Sequence, residues 1–392
     1  MEKKALIKKE KRHKKITKKV MKKEIVIKRR NAGIDLLRIL GMIDIVIFHI
    51  LIDSNICTKY SKYRKELKLL NVFTKWHISI FGLISGVVGY KTCKYSNLLY
   101  LWLIVFFYSH SIHYAYKKYN PSFTTNNKLR HYLFPVIYNN HWYFSSYFGM
   151  YLFLPVINKG IVNLNKNEFT ALVLSIIIVL VIWKDYMSEN TDTFKLHNGA
   201  STITLIIFYI IGAYLGKFRI IENKYRRIYY YIICIVIFIG SGYITNYYVN
   251  KNYGANKIEV FLKKIYHTEI SSFGMICQSA SLILFFSQIK YNRYLGKIIS
   301  LIGQLAFSVY IIHDHMDIRY VIYNHLFSKY SYNIPLSSVI YIIFLRGLQI
   351  FGICIIIDFC RHLLFKLLRI KTICVYVEKS VAFIGKKILK YL

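Results

Sequence analysis

Long apolar stretches recur along almost the whole chain and constrain its fold more than any other feature. Each is about 20 residues long, the length that a helix needs to cross a hydrocarbon core of roughly 30 Å. The composition agrees, because 55% of the 392 residues are hydrophobic and only 19% are charged. The pattern predicts an all-α integral membrane protein with about ten transmembrane helices, at 35–55, 75–91, 97–116, 141–158, 168–184, 200–216, 228–247, 270–289, 298–315 and 336–359.

Basic residues account for a formal net charge of +37 and concentrate at the chain ends and in alternate loops. In a membrane protein such residues fix orientation and contact anionic lipid, so we expect membrane lipid and no nucleic acid as a partner. The positive-inside rule predicts that both termini are cytoplasmic. The loop at 57–74 is also basic and would face outward, an exception that we assign to the high lysine content of the chain. The basic residues of the predicted inner loops are Lys91, Lys94, Lys159, Lys166, Lys217, Arg219, Lys224, Arg226, Arg227, Lys290, Arg293 and Lys297.

The charge distribution divides the chain into three parts. Residues 1–30 are predicted to form a basic cytoplasmic tail, whose charged stretch is too long for a cleavable signal peptide. Residues 31–365 form the membrane domain, and 366–392 form a basic amphipathic segment that can lie along the inner membrane surface. The seven cysteines include no Cys-x-x-Cys pair and predict neither a disulfide framework nor a metal site. No feature of the sequence indicates an oligomeric state.

The first apolar stretch contains four ionisable residues, Asp35, Arg38, Asp44 and His49, and each costs about 2.5–3.5 kcal/mol on insertion into a membrane. Arg38 and His49 are about three helical turns apart, so they share one face at roughly 16 Å along the axis. An arginine can bind a phosphate or diphosphate, and a neutral histidine can take a proton from a hydroxyl. Asp53, one turn beyond His49, can orient the imidazole. The spacing also fits a structural role, in which Arg38 reaches the lipid headgroups and His49 bonds a neighbouring helix.

Further polar and aromatic side chains lie at matched depths in other spans. His77, His141, Trp142 and Tyr143 are predicted to line an outer vestibule that binds substrate, where aromatic rings stack on a sugar and polar groups bond its hydroxyls. An interfacial aromatic belt is the competing explanation for the tryptophan and tyrosine. In the ninth span Ser308, Tyr310 and His313 are predicted to complete the substrate side. His313 and His315 point apart on a helix, so we predict no metal site.

Several short motifs together resemble the membrane acyltransferase family 3, the bacterial O-acyltransferases that act on surface polysaccharides. The first is the segment from Gly33 to His49, in which ten residues separate an arginine from a histidine. The others follow in order over about residues 30–365. They are Phe81-Gly82-Leu83-Ile84-Ser85-Gly86, Trp142-Tyr143 through Leu154-Pro155 to Asn158, Phe208-Tyr209-Ile210-Ile211-Gly212-Ala213-Tyr214, Phe307-Ser308-Val309-Tyr310-Ile311-Ile312-His313 and Ile357-Asp358-Phe359-Cys360-Arg361.

The resemblance implies a multi-pass enzyme of the bacterial cytoplasmic membrane. It would move an acyl group, usually acetyl from cytoplasmic acetyl-CoA, to a hydroxyl of a cell-surface or lipid-linked glycan, with acyl-CoA as co-substrate and no permanently bound cofactor. Arg38 and His49 match the family arginine and catalytic histidine. Lys91 and Lys94 stand where some members carry an Arg-x-Arg pair and are the candidates for further donor contacts. Asp44 replaces an expected apolar residue.

A secondary transporter or flippase for a glycan or lipid-linked precursor is the alternative. In it Arg38 and His49 would form a substrate site and a proton relay. That class predicts glycine- or proline-broken spans in two related halves. The chain has 4 prolines and no internal repeat.

Overall fold

The computed structural model describes residues 30–124, 129–187, 192, 194–218, 220, 228–251, 257–267 and 269–388. Nearly all of the predicted tail, at 1–29, lies outside these residues, as do the loop residues Arg219, Lys224, Arg226 and Arg227 and the last four residues of the C-terminal segment. The described part of the chain is helical and contains no strand.

A helix lies over each of the ten intervals that the apolar stretches predict. Thr202–Lys217 and Phe273–Ser287 are short, and the fifth helix continues from Ile176 through a π-helical stretch to Met187. An eleventh helix covers most of the predicted C-terminal segment. The helices are α1 (Ala32–Asp53), α2 (Trp76–Gly89), α3 (Tyr95–Tyr119), α4 (Trp142–Asn163), α5 (Lys166–Ile176), α6 (Thr202–Lys217), α7 (Ile228–Asn250), α8 (Phe273–Ser287), α9 (Arg293–His313), α10 (Leu336–Leu367) and α11 (Ile370–Ile388).

Six helical segments among the described residues are long and apolar enough to cross a membrane. They contain α2, α3, α5, α7, α9 and α10. Helix α1 is long enough but carries Asp35, Arg38 and Asp44 in its first 18 residues. The prediction of a multi-pass helical membrane protein is therefore confirmed, whereas the number of ten crossings and the side of each terminus stay predictions.

Helix α1 lies at the centre of the bundle and packs against α2, α8, α9 and α10. The side chain of Asn31 starts this helix by accepting hydrogen bonds from the Gly33 and Ile34 amides, and it donates to the carbonyl oxygen of Ser287 at the end of α8. A Cβ atom on Gly33 would overlap the carbonyl oxygen of Phe286 in α8. These contacts fix the start of α1, and with it the position of Arg38.

Short helices fill the connections at the end of the bundle where α1 finishes. They are Ile56–Lys59, Arg64–Thr74, Leu129–Leu133 and Arg319–Asn324, and a 3-10 turn spans Ser61–Tyr63. Lys257–Ile265 is a further short helix before α8.

Candidate active site

A cavity of about 650 Å³ lies between α1, α2, α4 and α9, and both Arg38 and His49 line it. The two side chains are on one face of α1, about 16 Å apart along its axis. A single space therefore joins the guanidinium to the imidazole. Its walls are mainly apolar and aromatic, and the lining residues include Met42, Phe48, Phe81, Ser85, Trp142, Tyr143, Tyr147, Phe307 and Tyr310.

Arg38 is held by a buried carboxylate one turn before it in α1. Its Nη1 atom is 2.5 Å from Oδ1 of Asp35, which is fully buried. The same carboxylate accepts hydrogen bonds from Nη2 of Arg30 at 2.9 Å and from Oγ of Ser300 in α9 at 2.8 Å. Two guanidinium groups share one carboxylate, so this end of the cavity keeps a net positive charge that suits a phosphate or diphosphate.

His49 at the other end of the cavity is oriented by Asp53. Nδ1 of His49 is 3.0 Å from Oδ2 of Asp53, one turn later in α1. Arg319 donates three hydrogen bonds to Asp53, from Nε at 3.1 Å and from Nη2 at 3.0 and 2.9 Å, and its Nη1 lies 2.9 Å from Oδ1 of Asp314. The carboxylate favours the proton on Nδ1, which leaves Nε2 as the nitrogen that can take a proton from a substrate. This is the arrangement of a general base with an orienting acid.

Asp314 and Arg319 line the cavity but are not among the sequence-predicted site residues. Their signal in the sequence is an ionisable pair that directly follows the apolar part of α9. It is weak, because nothing in the sequence shows that this turn folds back to the end of α1.

Four of the predicted substrate-binding residues line the cavity: His77, Trp142, Tyr143 and Tyr310. The Tyr143 amide donates to the Tyr310 hydroxyl at 3.4 Å, joining α4 to α9. The cavity lining thus combines aromatic rings and hydroxyl groups with the imidazole of His49.

The remaining predicted site residues lie around this cavity or away from it. The His313 ring is 5.3 Å from the His49 ring, and the His141 ring is 5.4 Å from the Tyr310 ring, so both form a layer behind the lining. Ser308 is buried and is not a lining residue. Lys91 and Lys94 are exposed in the connection between α2 and α3, outside the cavity.

Asp44 faces α2. Its Oδ2 atom is 3.5 Å from Nδ1 of His77, and that nitrogen also bonds the carbonyl oxygen of Thr74. The cavity thus has two histidines, His49 and His77, each with an aspartate beside it.

The geometry suits a substrate with an anionic head at the Arg38 end and a reacting carbonyl near His49. Comparison with known proteins supports the same class of chemistry. A family model described as an acyltransferase domain matches residues 31–358, which is most of the chain. No curated protein and no solved structure matches the sequence. The chain therefore belongs to the acyltransferase family 3, as the order of its motifs predicts.

Proposed function

We propose that this acyltransferase is an O-acetyltransferase of the bacterial cytoplasmic membrane. It moves an acetyl group from cytoplasmic acetyl-CoA to a hydroxyl of a cell-surface or lipid-linked glycan. One observation carries the proposal: Arg38 and the His49–Asp53 pair lie at opposite ends of the same cavity.

The donor half of the proposal rests on the charge at the Arg38 end. The diphosphate of CoA binds at Arg38, and the slender pantetheine arm runs along the apolar walls to bring the thioester to His49. Lys91 and Lys94, which are exposed beyond the cavity, contact the part of CoA that stays outside it. The acyl-CoA is a co-substrate and leaves after each turnover.

The acceptor half rests on the aromatic side chains near His49. Trp142 stacks on a sugar ring, while Tyr143 and Tyr310 orient its hydroxyls, and His141, Ser308 and His313 support these side chains from behind. Nε2 of His49 takes the proton of the acceptor hydroxyl as its oxygen attacks the thioester carbonyl. A carbon–oxygen bond forms, the carbon–sulfur bond breaks, and the electron pair of that bond leaves with sulfur. Asp53 stabilises the imidazolium that results.

The test is transfer of labelled acetyl from acetyl-CoA to glycan in membranes that contain the full chain. We expect His49→Gln to lower the rate about 100- to 10,000-fold, because general-base catalysis contributes that much. His110→Gln is the matched control, since His110 bonds the carbonyl oxygen of Phe106 within α3 and does not line the cavity. Unchanged transfer by His49→Gln would refute the catalytic assignment, and glycan movement without acetylation would favour a transporter.

Arg38→Gln in the same assay separates the two ends of the cavity. Losing a hydrogen bond to a charged group costs about 1.5–3 kcal/mol, so we expect KM for acetyl-CoA to rise about 10- to 100-fold. The KM for the glycan should stay near its wild-type value. Arg346→Gln is the control, because Arg346 bonds Tyr330 and Gln349, and none of these three residues lines the cavity.

A further inference from the structure

The pair of Asp44 and His77 is the strongest feature of the cavity that the proposed reaction leaves unused. His77 lines the cavity, and its side chain is only 2% exposed. The carboxylate of Asp44 comes from the neighbouring helix α1. Within the described part of the chain, Oδ2 of Asp44 has no hydrogen-bond partner, and Nδ1 of His77 at 3.5 Å is the cation-forming group beside it.

Inserting a carboxylate into a membrane helix costs free energy unless it pairs with a neighbouring group. Nδ1 of His77 donates to the carbonyl oxygen of Thr74, at the break between the Arg64–Thr74 helix and α2. This bond fixes the ring and places the nitrogen-bound proton on Nδ1. Nε2 is then free to carry a second proton, and Asp44 is the carboxylate placed to balance the charge of that proton.

The position of the pair along α1 gives it a place in the reaction. Asp44 lies about 9 Å from Arg38 and about 8 Å from His49 along the helix axis. The Phe48 ring touches both histidines, with its centroid 5.2 Å from that of His77 and 5.7 Å from that of His49. His77 is thus beside the reacting end of the cavity, on the side from which the donor enters and the thiol product leaves.

We propose that His77, charged and positioned by Asp44, donates the proton that the departing thiolate of CoA takes up. The inference rests on the proposed acetyl transfer. His49 gains the proton of the acceptor hydroxyl, and the sulfur atom gains the proton from Nε2 of His77. The products are the ester and the CoA thiol, and the cycle closes when the proton on His49 passes to His77. The chain therefore has one acid/base pair for the acceptor and another for the leaving group.

The test compares two donors that differ only in the leaving atom: acetyl-CoA and its selenoester analogue. Both present the same phosphates to Arg38. A selenol is a stronger acid than a thiol, so the selenolate leaves without needing a proton. We expect His77→Gln to lower kcat with acetyl-CoA about 100-fold and with the selenoester less than about 10-fold. Asp44→Asn should show the same dependence on the donor, with a smaller loss.

His49→Gln and His110→Gln are the controls. His49→Gln should lose the same factor with both donors, because His49 acts on the acceptor, and His110→Gln should lose activity with neither. The ratio of the two donor rates is measured within one membrane preparation, so it does not depend on how much of the variant folds. A merely structural role of His77 predicts an unchanged ratio.

The outcomes separate the two proposals. If the wild type transfers acetyl from neither donor, the proposed function fails and the inference falls with it. If the wild type is active and His77→Gln loses the same factor with both donors, or loses nothing, only the role of His77 is overturned. A loss confined to the thioester supports the proton donation.

Discussion

Asp53 connects two parts of the chain that are far apart in sequence. It accepts from His49 in its own helix and from Arg319 in the connection after α9. Arg319 reaches Asp314 as well, so four ionisable side chains form one chain of contacts. The positive charge of Arg319 therefore faces the carboxylates of both Asp53 and Asp314. The His49–Asp53 pair is therefore held from outside α1 as well as from within it.

This arrangement makes Asp53→Asn a sharp test of orientation. An asparagine keeps the size of the side chain but can present its amide NH₂ to Nδ1, which favours the wrong tautomer of His49. We expect kcat to fall about 100-fold or more, with KM for acetyl-CoA nearly unchanged. Steady-state acetyl transfer in membranes measures both constants. A rise in KM at constant kcat would show instead that Asp53 binds substrate.

The part of the site that follows from helical spacing alone lies within one helix. Arg38, His49 and Asp53 recur at helical spacing, so their shared face follows from the sequence alone. Arg319 does not, because 266 positions separate it from Asp53 and only the packing of the bundle brings them together. The role of Asp44 could not be predicted for the same reason, because its neighbour His77 belongs to another helix.

Helices α2 and α6 pack extensively against each other, and glycines allow their backbones to approach closely. A Cβ on Gly86 would overlap the carbonyl oxygen of Tyr209, and a Cβ on Gly212 would overlap that of Leu83. Small residues at such a contact let two helix backbones pack directly. Both glycines belong to the motifs that carry the family resemblance, so these motifs serve packing as well as chemistry. The contact fixes the wall of the cavity that contains His77 and Phe81.

We therefore expect Gly86→Ala to destabilise the bundle. The added methyl group meets backbone atoms, which cannot rotate away, so the cost should be about 1–3 kcal/mol. Gly240→Ala in α7 is the matched control, because a Cβ there has no neighbour within 4 Å. Thermal unfolding in detergent should show a lower Tm for Gly86→Ala and little change for Gly240→Ala. Equal Tm values would mean that α2 and α6 do not pack as described.

A buried ion pair joins α10 to α3 in a similar way. Arg361 donates to both oxygens of Asp358 at 2.8 Å, and Tyr108 of α3 donates to Oδ1 of the same carboxylate, also at 2.8 Å. Arg361 further reaches the hydroxyl of Tyr100 at 3.1 Å. Because every charged group has a partner, the pair can lie inside the bundle and set the register of the two helices.

At the scale of the whole molecule, the loop at 57–74 is the exception to the charge pattern, and its contacts account for one of its basic residues, Lys59. Lys59 donates to the carbonyl oxygen of Phe327, Tyr60 to that of Ser331 and Tyr63 to that of Ile334. This loop therefore packs on the connection between α9 and α10. Lys59 bonds the backbone of that connection, and this contact can form on either side of the membrane. Two loops that touch must lie on one side of the membrane, as the predicted topology requires of this pair.

Helix positions were predictable because the length of an apolar stretch limits where a helix can start and stop. The bounds were less so, since α9 already starts at Arg293 and α10 continues to Leu367, past its predicted end at 359. The number of crossings was not predictable, because α1, α6 and α8 each have a feature that weakens the signal of a membrane span. Helix α1 contains charged residues, and α6 and α8 are short. Each of these three helices packs against other helices of the bundle, so neighbouring helices cover the charged residues of α1 and the short helices α6 and α8.

The predicted topology can be tested with reporter fusions to the full membrane domain. With ten crossings and a cytoplasmic N-terminus, a fluorescent reporter fused after residue 388 should fold and fluoresce in the cytoplasm. A phosphatase is active only outside the cytoplasm, so one inserted in the loop at 185–199 should be active. One inserted at 331–333, which contacts the loop at 57–74, should be active as well. Insertion near Lys91 should give an inactive phosphatase. An active phosphatase near Lys91 would indicate the opposite orientation of the membrane domain. Arg38 would then lie at the outer surface, where cytoplasmic acetyl-CoA cannot reach it. The same fusions thus decide whether the donor end of the cavity opens toward the donor.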